Sequence, residues 1–555
     1  MRFNKLIRAR FDKTEYTVFE AAETAENPVF RDGRLFVPPS CLEALAEEAF
    51  GRVSFFYRRS HLELLNTARL KPDTMAREKL LIGDLIENAV TAAEGRLPLC
   101  QDTGTACVYA WKDEGVVTSA DDGGFIERGI ASAYWKRRLR ASQLVPVSFF
   151  DEHNSGNNLP AQIKIEAAPP SDGRPCYRFL FVAKGGGSSN KSAYFSMTPA
   201  ILSCDKFDLF LKQNIEALGT AACPPYRLAV VAGGSSPEHN LEVLKLATTE
   251  LLDDAPYFGT QFRAGEVQDA DVYRDIFWEN RAMEIAEQSG LGAQVGGKRL
   301  ALDVRVLRLP RHAASCPVSI GVSCAAHRNM LAFIDERGIF LEKLEQNPKE
   351  MPFLFSRSPS RPSCPEIFGA NGAVNANKTR RVLIDAPLDK ARDIIMDAVN
   401  IGSTGKESGA GSMLLSGKLL VARDAAHLAW HKLLENGKAL PDYLYMYPVF
   451  YAGPSETPPG CVIGSIGPTT SSRMDVYAEE LLSRGASLVS IGKGGRSAAW
   501  SNAASKYGGV YLSTAGGAAA LIASQNIVSV KIIDYPELAM EAVRLLEVKD
   551  LRVFY

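Results

Sequence analysis

The sequence predicts an α/β protein, and two patterns carry this prediction. After Lys418, short apolar runs at 487–491 and 527–533 alternate with helical patterns at 473–485 and 537–547, which is typical of a largely parallel sheet with helices between its strands. Earlier in the chain, strand-like runs lie among helical stretches and glycine-rich turns. We therefore expect a mixed N-terminal part followed by a smaller α/β part.

Length and composition bound the class of protein. At about 150 residues per domain, the 555 residues suffice for two to four domains. A hydrophobic content of 46% and a charged content of 23% are ordinary for a globular protein with sizeable cores. The net charge of -1 argues against a broad nucleic-acid surface. No run approaches the ~18 apolar residues that a membrane span needs.

The cysteines and the basic N-terminus bear on the cellular compartment. The ten cysteines are sparse and form no C-x-x-C pair, so we expect reduced thiols in an intracellular protein rather than a disulfide framework or a zinc finger. Residues 1–10 are basic, lack acids and contain no secretory apolar core. They predict a solvated basic tail and a cytoplasmic protein, with a short mitochondrial presequence as the alternative.

The elements of the N-terminal part follow in order. An apolar stripe on one helix is formed by Leu81, Ile82, Leu85, Ile86, Ala89 and Val90. The predicted strands are 16–19, 35–37, 159–166, 179–183, 228–231 and 301–309, and the other predicted helices are 40–50, 60–70, 125–143 and one from about 238. We interpret three of the four basic residues late in helix 125–143 as a solvated face.

A loop with several functional groups follows the apolar helix. Gly95 and Pro98 end the helix, and the loop then places Cys100 next to Gln101 and Asp102. Two interpretations are open. The loop displays functional groups from a packed element, or it holds a half-buried thiol beside an ordinary Asp-Thr-Gly turn.

Glycine-rich turns recur beside the predicted strands. Residues 184–192 read KGGGSSNKS directly after a strand, so that backbone N–H groups can close on an anion. The spacing matches neither a P-loop nor G-x-G-x-x-G, and nucleotide binding is therefore not predicted. In the C-terminal part, residues 467–473 precede a helix and 493–497 follow a strand, which are natural anion-binding positions in such sheets.

The character of the chain changes between residues 340 and 400. The stretch at 356–365, SRSPSRPSCP, has no helical or strand period, and 402–411 is also loop-like. We therefore expect an N-terminal domain at 1–350, a linker at 351–414 and a C-terminal domain at 415–555.

Three of the ten cysteines differ from the rest. Cys100, Cys223 and Cys324 each lie in or next to a turn with glycine, proline or polar neighbours. Three thiolates suit an iron–sulfur cluster, and a four-iron cluster held by three protein ligands keeps one iron open as a Lewis acid. The three residues are far apart in sequence, so buried structural thiols remain the alternative.

Taken together, these motifs show that the chain resembles the class I, iron–sulfur-dependent fumarate hydratases. The matching stretches follow the family's order from about residue 98 to near the C-terminus. They are PLCQDTGTA (98–106), RLRASQ (138–143), NLPAQI (158–163), AKGGGSSNKS (183–192), GTAACPPY (219–226), GLGAQVGGK (290–298), DVRVLRLPRHAASCPVSIGVSC (303–324), ARDAAH (422–427), YAGPSETPPG (451–460), GPTTSSRMD (467–475), GKGGRS (492–497) and DYPEL (534–538).

The resemblance implies a homodimeric hydro-lyase of the tricarboxylic acid cycle that interconverts fumarate and L-malate, a small dicarboxylate pair. It implies a [4Fe–4S] cluster bound by Cys100, Cys223 and Cys324, with Cys316 at a non-ligand position. The site would lie between a mixed α+β cluster domain and a smaller, swivelling-type α/β domain. The residues implied around the substrate are Gln101, Asp102, Arg140, Gly187, His312, Arg423, Thr469, Thr470, Arg473 and Lys493.

Hydration of a dicarboxylic alkene explains the basic residues in this set. Two anionic ends must be held, and arginine forks pair with carboxylates in a bidentate and permanently charged way. Arg140, Arg423 and Arg473 are therefore candidate clamps, and Lys493 adds a point charge.

The proton shuttle is carried over from the family. It makes Thr469 the base at C3 and Asp102 its acid-side partner, although a free threonine is a very weak base. For His312 two roles are open: it hydrogen-bonds a substrate carboxylate, or it orients the loop that contains Cys316.

The chain departs from the family at two positions. Glu456 occupies a position that is usually lysine, and residues 410–414 lack an arginine that normally precedes the ARDAAH motif. Both departures bear on substrate choice and on the contacts that close the domains. The alternatives are therefore a relative acting on mesaconate or L-tartrate, or a non-catalytic iron–sulfur sensor. The retained Thr469, Arg473 and Lys493 favour an enzyme, since a sensor needs no dicarboxylate clamp.

Overall fold

The computed structural model describes residues 3–20, 26–119, 121–169, 174–257, 272–351, 354, 380–385, 387–404 and 411–555. The predicted linker stretch 356–365, including Cys364, lies outside these residues. The α-helices span Phe3–Lys13, Pro39–Phe55, Arg59–Leu70, Ala76–Ala92, Asp122–Lys136, Gly186–Ser189, Cys204–Leu218, Pro237–Ala247, Ile276–Gln288, Leu388–Thr404, Asp424–Glu435, Ala478–Leu482, Ala498–Tyr507 and Ala519–Gln525. Single 3-10 turns span Pro199–Leu202, Pro348–Glu350, Asp442–Tyr445, Ser471–Tyr477 and Pro536–Glu541.

Two larger sheets build the N-terminal part. The first has six strands in the order Tyr16–Phe19, Gly338–Glu342, Asn329–Asp335, Tyr177–Lys184, Thr105–Asp113 and Gln162–Ala168. The second has five strands in the order Ala193–Phe195, Val318–Ser323, Tyr226–Gly234, Ala301–Arg311 and Tyr273–Arg274. Two pairings, one in each sheet, are parallel and the other pairings are antiparallel. The predicted α/β class is confirmed.

Helices and the second sheet bury both faces of the six-stranded sheet. Alternate residues of a strand point to opposite faces. In strand Thr105–Asp113, Val108 and Ala110 accordingly join the core under helices Pro39–Phe55 and Asp122–Lys136, whereas Tyr109 and Trp111 join the core shared with the five-stranded sheet. Burial on both faces makes this strand a rigid support for the loop that precedes it.

The C-terminal part is organised around a seven-stranded sheet. Its order is Arg380–Ile384, Ser412–Val421, Val449–Phe450, Val489–Gly492, Val510–Ser513, Val543–Phe554 and Ile527–Asp534. The first five strands run parallel, as predicted for most of this part, although Arg380–Ile384 lies in the stretch predicted as a linker. Val543–Phe554 is antiparallel to its neighbours, which include the predicted strand at 527–533. This last strand pairs with both Val510–Ser513 and Ser412–Val421, so that the sheet closes on itself.

Three smaller sheets are formed by the remaining strands of the described residues. Val29–Arg31, Arg34–Val37 and Val116–Thr118 form one sheet, Leu144–Pro146 pairs with Glu152–Asn154, and Ala452–Pro454 pairs with Ile466–Pro468. Among the described residues, none of the helices combines the length and apolar character that crossing a membrane requires.

Three sequence predictions about elements are wrong. Residues 537–547 do not form an α-helix, because a 3-10 segment ends at Glu541 and strand Val543–Phe554 then begins. The apolar residues of this strand face a core at roughly alternate positions. The helix predicted at 125–143 ends at Lys136, since Arg138 has a φ of 53°. The pattern at 473–485 is a 3-10 turn followed by the short helix Ala478–Leu482.

The N-terminal segment is not a solvated tail. It forms helix Phe3–Lys13, which buries Ile7 and Phe11 in the core between the two N-terminal sheets. Arg10 and Lys13 pair with Glu250 and Asp254 at 3.1 and 3.0 Å. The basic residues therefore lie on the outer face of an amphipathic helix that belongs to the fold.

Candidate active site

The loop of Cys100 is held by the helix before it and by the C-terminal part. The amide of Asn88, fully buried on helix Ala76–Ala92, donates to the carbonyls of Leu99 at 2.9 Å and Gly517 at 3.1 Å. The Asn88 side-chain oxygen accepts the N–H of Leu521 at 3.0 Å. One side chain thus fixes the loop before Cys100 and the start of helix Ala519–Gln525 against each other.

Gln101 and Asp102 are oriented by backbone groups. The Gln101 amide donates to the carbonyl of Pro468 at 3.2 Å. The two Asp102 carboxylate oxygens accept the N–H of Gly104 at 3.1 Å and of Gly186 at 2.9 Å. Gly104 has a φ of 89°, and a Cβ there would lie 2.9 Å from the backbone of residue 184. The glycine lets the loop approach the turn that follows strand Tyr177–Lys184.

The same glycine-rich turn approaches the loop of Cys223. A Cβ on Gly187 would lie 3.6 Å from the Cα of Ala222. The Cys223 carbonyl accepts the N–H of Ala325 at 2.9 Å, so the segments of Cys223 and Cys324 are joined directly by backbone. The three cysteines that sequence reasoning separated from the other seven are therefore brought to one place in the fold.

The C-terminal part reaches this place through Lys493. Its ammonium lies 2.7 Å from the Cys223 sulfur. Residues 470 and 493 form a β-bridge, and the Thr470 hydroxyl donates to the carbonyl of Ala221 at 3.3 Å. A Cβ on Gly516 would lie only 2.4 Å from the Cys223 sulfur. The sulfur is enclosed on one side by the C-terminal part.

The electrostatics of the three thiols are coupled. Burial, together with Asp102 and the sulfurs of Cys324 and Cys223, raises the pKa of Cys100 to about 12. Burial also raises the pKa of Cys223, which Lys493 partly opposes. Each sulfur thus lies within the electrostatic reach of the others, and binding of a positive metal centre is what would deprotonate them.

The donor set fits a cluster rather than a single ion. Within the described ranges, no three His, Cys, Asp or Glu side chains lie close enough to hold one metal ion. A cluster needs less proximity, because its thiolates bind separate iron atoms. Cys100 and Cys223 are buried, Cys324 is partly buried, and cationic side chains flank them.

Two of the predicted arginines, Arg140 and Arg423, have buried guanidinium nitrogens. Arg423 is 5% exposed, its Nε has no hydrogen-bond partner, and its Nη2 pairs with Glu541 at 3.1 Å. Burial, followed by repulsion from Arg140, lowers the pKa of Arg423 to about 10. The Arg140 Nε is also buried without a partner. A buried guanidinium N–H without an acceptor destabilises the folded chain unless an anion accepts its hydrogen bond.

Thr469 lies beside the third predicted arginine. Its hydroxyl accepts a short hydrogen bond from Arg473, which also pairs with Asp424 at 3.1 Å. The backbone N–H of Thr469 donates to the carbonyl of Tyr451 at 2.7 Å, and its carbonyl accepts the N–H of Lys493 at 3.2 Å. Thr469 and Arg473 are therefore held next to each other in the C-terminal part.

His312 is the predicted site residue that lies apart from this group. It is exposed, and its ring nitrogen accepts the N–H of Ala314 at 3.2 Å. Within the described part of the chain, His312 hydrogen-bonds only to its own loop, at Arg311, Ala314 and Ser315. Cys316 is fully buried in the apolar core under the five-stranded sheet, away from those loops.

Sequence reasoning missed two buried amides that tie the site together. Besides Asn88, Gln294 donates to the carbonyls of Pro224 at 2.8 Å and Gly516 at 2.9 Å, and accepts the N–H of Gly516 at 2.8 Å. Two sequence signals were available. Asn88 is an amide within an apolar helical stretch, and Gln294 lies within the glycine-rich stretch 290–298.

Comparison with known proteins bears directly on this arrangement. The family model described as fumarate hydratase (Fumerase) matches residues 43–332, and that of the fumarase C-terminus matches 373–555. The chain is 40% identical over 544 residues to fumarate hydratase 2 of Leishmania major, covering 98% of this chain and 90% of that protein. It is 38% identical over 543 residues to the aerobic class I fumarate hydratase of Escherichia coli strain K12, covering 98% and 93%. A putative L(+)-tartrate dehydratase subunit alpha of Methanocaldococcus jannaschii is 28% identical over 308 residues, covering 55% of this chain and 94% of that one.

Proposed function

Because the chain belongs to the fumarate hydratase family, we propose that it is a class I hydro-lyase that interconverts fumarate and L-malate. The observation that carries the proposal is the convergence of three thiols with a group of cationic side chains. Lys493 lies 2.7 Å from Cys223, and Arg423 has a buried Nε without a partner. An anionic cluster and a dianionic substrate together would balance this charge.

We propose that Cys100, Cys223 and Cys324 hold a [4Fe–4S] cluster. When bound, it supplies a Lewis acid for a substrate oxygen. The support in this chain is the joined backbone of the Cys223 and Cys324 segments and the shared electrostatic environment of the sulfurs. Cys316 is left out of the set because it is fully enclosed by apolar side chains.

We propose that the arginines hold the two carboxylates of the substrate. Arg140 and Arg423 each have a buried Nε without a hydrogen-bond partner. A substrate carboxylate that accepts two N–H groups of one guanidinium would supply the missing acceptor. Arg473 lies beside Thr469 at the edge of the site. Gln101, Gly187, Thr470 and Lys493 would shape the remaining wall. His312 has no support from the geometry of a single chain and stays a prediction.

The proton steps fall to two residues. In the dehydration direction, the C3 proton of L-malate must leave to a base and the C2 hydroxyl must leave with a proton as water. We propose Thr469 as the group at C3. Arg473 donates to its hydroxyl oxygen, which stabilises the alkoxide that proton abstraction requires. Asp102, held by two backbone N–H groups, would be its acid-side partner.

A second candidate substrate is suggested by one local feature. Glu456, at a position usually occupied by lysine, pairs with Arg138 at 3.5 Å, so a negative charge lies between the N-terminal part and the C-terminal part. A relative acting on mesaconate or L-tartrate is therefore the alternative. In either case the substrate is a small dicarboxylate.

The test is an anaerobic assay after reconstitution with iron and sulfide. The ultraviolet absorbance of the alkene would be followed with fumarate, L-malate, mesaconate and L-tartrate in parallel. The proposal expects the highest kcat/KM with fumarate and L-malate. A chain that carries its full cluster but turns over none of the four substrates would be a non-catalytic iron–sulfur protein, contrary to the proposal.

We also propose that the site lies between two domains, 1–350 and 415–555, in a homodimeric cytoplasmic protein. Hairpin 144–154 exposes Phe149 and Phe150 almost completely, which supports an apolar subunit contact. Sedimentation analysis and cell fractionation test these points.

A further inference from the structure

Arg328 is a buried cation that none of the assignments above uses. It follows the Cys324 loop and directly precedes strand Asn329–Asp335. The residue is 3% exposed, and its Nε and Nη1 are buried without a hydrogen-bond partner. No carboxylate forms an ion pair with it among the described residues. A guanidinium desolvated in this way is destabilising unless negative charge lies close by.

The groups that face Arg328 are the thiols and the proposed acid. Cys100, Asp102 and Cys324 all lie within its electrostatic reach, with the Tyr134 phenol behind them. A Cβ on Gly185 would lie 3.0 Å from a carboxylate oxygen of Asp102 and 3.7 Å from the Nη2 of Arg328. The carboxylate and the guanidinium therefore both lie close to Gly185.

The backbone of Arg328 is joined to the strand that leads into the glycine-rich turn. Its carbonyl accepts the N–H of Ala183 at 3.0 Å, at the end of strand Tyr177–Lys184. Three residues after Ala183, the Gly186 N–H donates to the Asp102 carboxylate at 2.9 Å. One β-strand end thus positions both the arginine and the carboxylate.

We propose that Arg328 is a positioning residue of the site: its charge stabilises the anionic cluster on Cys100 and Cys324 and the nearby carboxylate of Asp102, which the N–H groups of Gly104 and Gly186 orient. This inference rests on the proposed function. Loss of a cationic N–H donor beside an iron–sulfur cluster lowers the reduction potential of the cluster. A change in the shape or charge of the side chain near Asp102 lowers kcat, and replacing such outer residues commonly costs about 10–100-fold.

The test compares Arg328→Lys, which keeps the charge, with Arg328→Gln, which keeps N–H donors without charge. Iron and sulfide content, the midpoint potential from an EPR-monitored anaerobic titration, and kcat and KM for fumarate would be measured on the holoenzyme. We expect Gln to shift the potential to more negative values and Lys to retain it. Both variants should lose about 10–100-fold in kcat with KM nearly unchanged.

A matched control is Arg178→Lys. Arg178 is also buried, but it lies near the start of strand Tyr177–Lys184, at the end away from the glycine-rich turn. It pairs with Asp113 at 3.1 Å. This variant should keep the wild-type potential and kcat. A wild-type potential and kcat in Arg328→Gln, or equal potential shifts in the Lys and Gln variants, would overturn the inference. If circular dichroism shows that Arg328→Gln is unfolded, Arg328→Lys provides the test. A shifted midpoint potential or a wild-type kcat in Arg328→Lys would contradict the inference.

The two proposals can fail separately. A wild-type holoenzyme with full cluster content but no turnover of fumarate would overturn the proposed function. The potential difference between wild type and Arg328→Gln would still measure whether the charge of Arg328 acts on the cluster.

Discussion

The ammonium of Lys493 lies 2.7 Å from the sulfur of Cys223, a residue 270 positions earlier in the chain. Burial alone would lower the pKa of Lys493, but the sulfurs of Cys223, Cys100 and Cys324 raise it above its ordinary value. The ammonium and the thiolate forms of these cysteines therefore stabilise each other. Through this pair, the seven-stranded part of the chain contacts a cysteine of the N-terminal part.

The pair predicts the effect of replacing Lys493. In Lys493→Gln, Cys223 loses the cation that favours its thiolate, so we expect lower cluster occupancy and a kcat/KM for fumarate reduced by about 10–100-fold. Iron analysis and the alkene assay measure both. Lys506→Gln is the control, because Lys506 is exposed, pairs with Glu479 at 3.7 Å and lies over the ring of Tyr507 at 4.8 Å. Wild-type iron content and activity in Lys493→Gln would contradict the role of the pair.

Cysteine replacement separates the proposed ligands from the structural thiols. Cys223→Ser should abolish the visible absorbance of the reconstituted cluster, since a hydroxyl is a much poorer iron ligand than a thiolate. Cys316→Ser should largely retain that absorbance. Cys316 lies in the core under the five-stranded sheet, and its replacement should cost thermal stability instead. The reverse pattern of absorbance would show that the ligand set is wrong.

Gly516 predicts a steric route to the same loss. A Cβ at this position would lie 2.4 Å from the Cys223 sulfur and 3.0 Å from the Gln294 side-chain oxygen. Gly516→Ala should therefore displace the sulfur and reduce iron content without removing any ligand. Gly83→Ala is the matched control, because nothing lies within 4 Å of a Cβ there. Equal iron content in the two variants would mean that the Cys223 sulfur is not where the cluster binds.

Much of the fold could be predicted from the sequence where one local pattern dominates. The apolar stripe 81–90 lies within helix Ala76–Ala92, and the strand–helix alternation of the C-terminal part became five parallel strands. Residues 537–547 show why the prediction failed elsewhere. Their apolar residues suit helix and strand periods alike, and pairing with Ser412–Val421, which is distant in sequence, selects the strand.

The candidate site was predictable to a different extent. The motif around Cys100 contains a thiol, an amide and a carboxylate in sequence, so the loop itself could be found. The convergence of Cys100 with Cys223 and Cys324 depends on contacts between distant segments, which spacing cannot reveal. Arg328 was missed for a related reason, because a single arginine beside a strand has no sequence signal. Only its burial without a partner distinguishes it.

The final prediction concerns stability at acid pH. His427 is buried against Trp430 and Tyr451, and its Nε2 has no partner. Burial lowers the pKa of His427 to about 4, so the folded chain resists a proton that the unfolded chain binds below pH 6.5 or so. Stability is thus lost as pH falls, by about 2 kcal/mol at pH 5 from this residue alone.

Replacing His427 by phenylalanine removes this proton linkage while retaining an aromatic ring among aromatic neighbours. Melting temperatures measured between pH 7.5 and 5 should fall less steeply for His427→Phe than for wild type, even if the variant is less stable at pH 7.5. His431→Gln is the contrasting control. The hydrogen bond to Glu480 raises the pKa of exposed His431, so its contribution is present at low pH and is lost as pH rises. His431→Gln should therefore not reduce the acid sensitivity, and identical pH slopes in wild type and His427→Phe would show that His427 is not held neutral by burial.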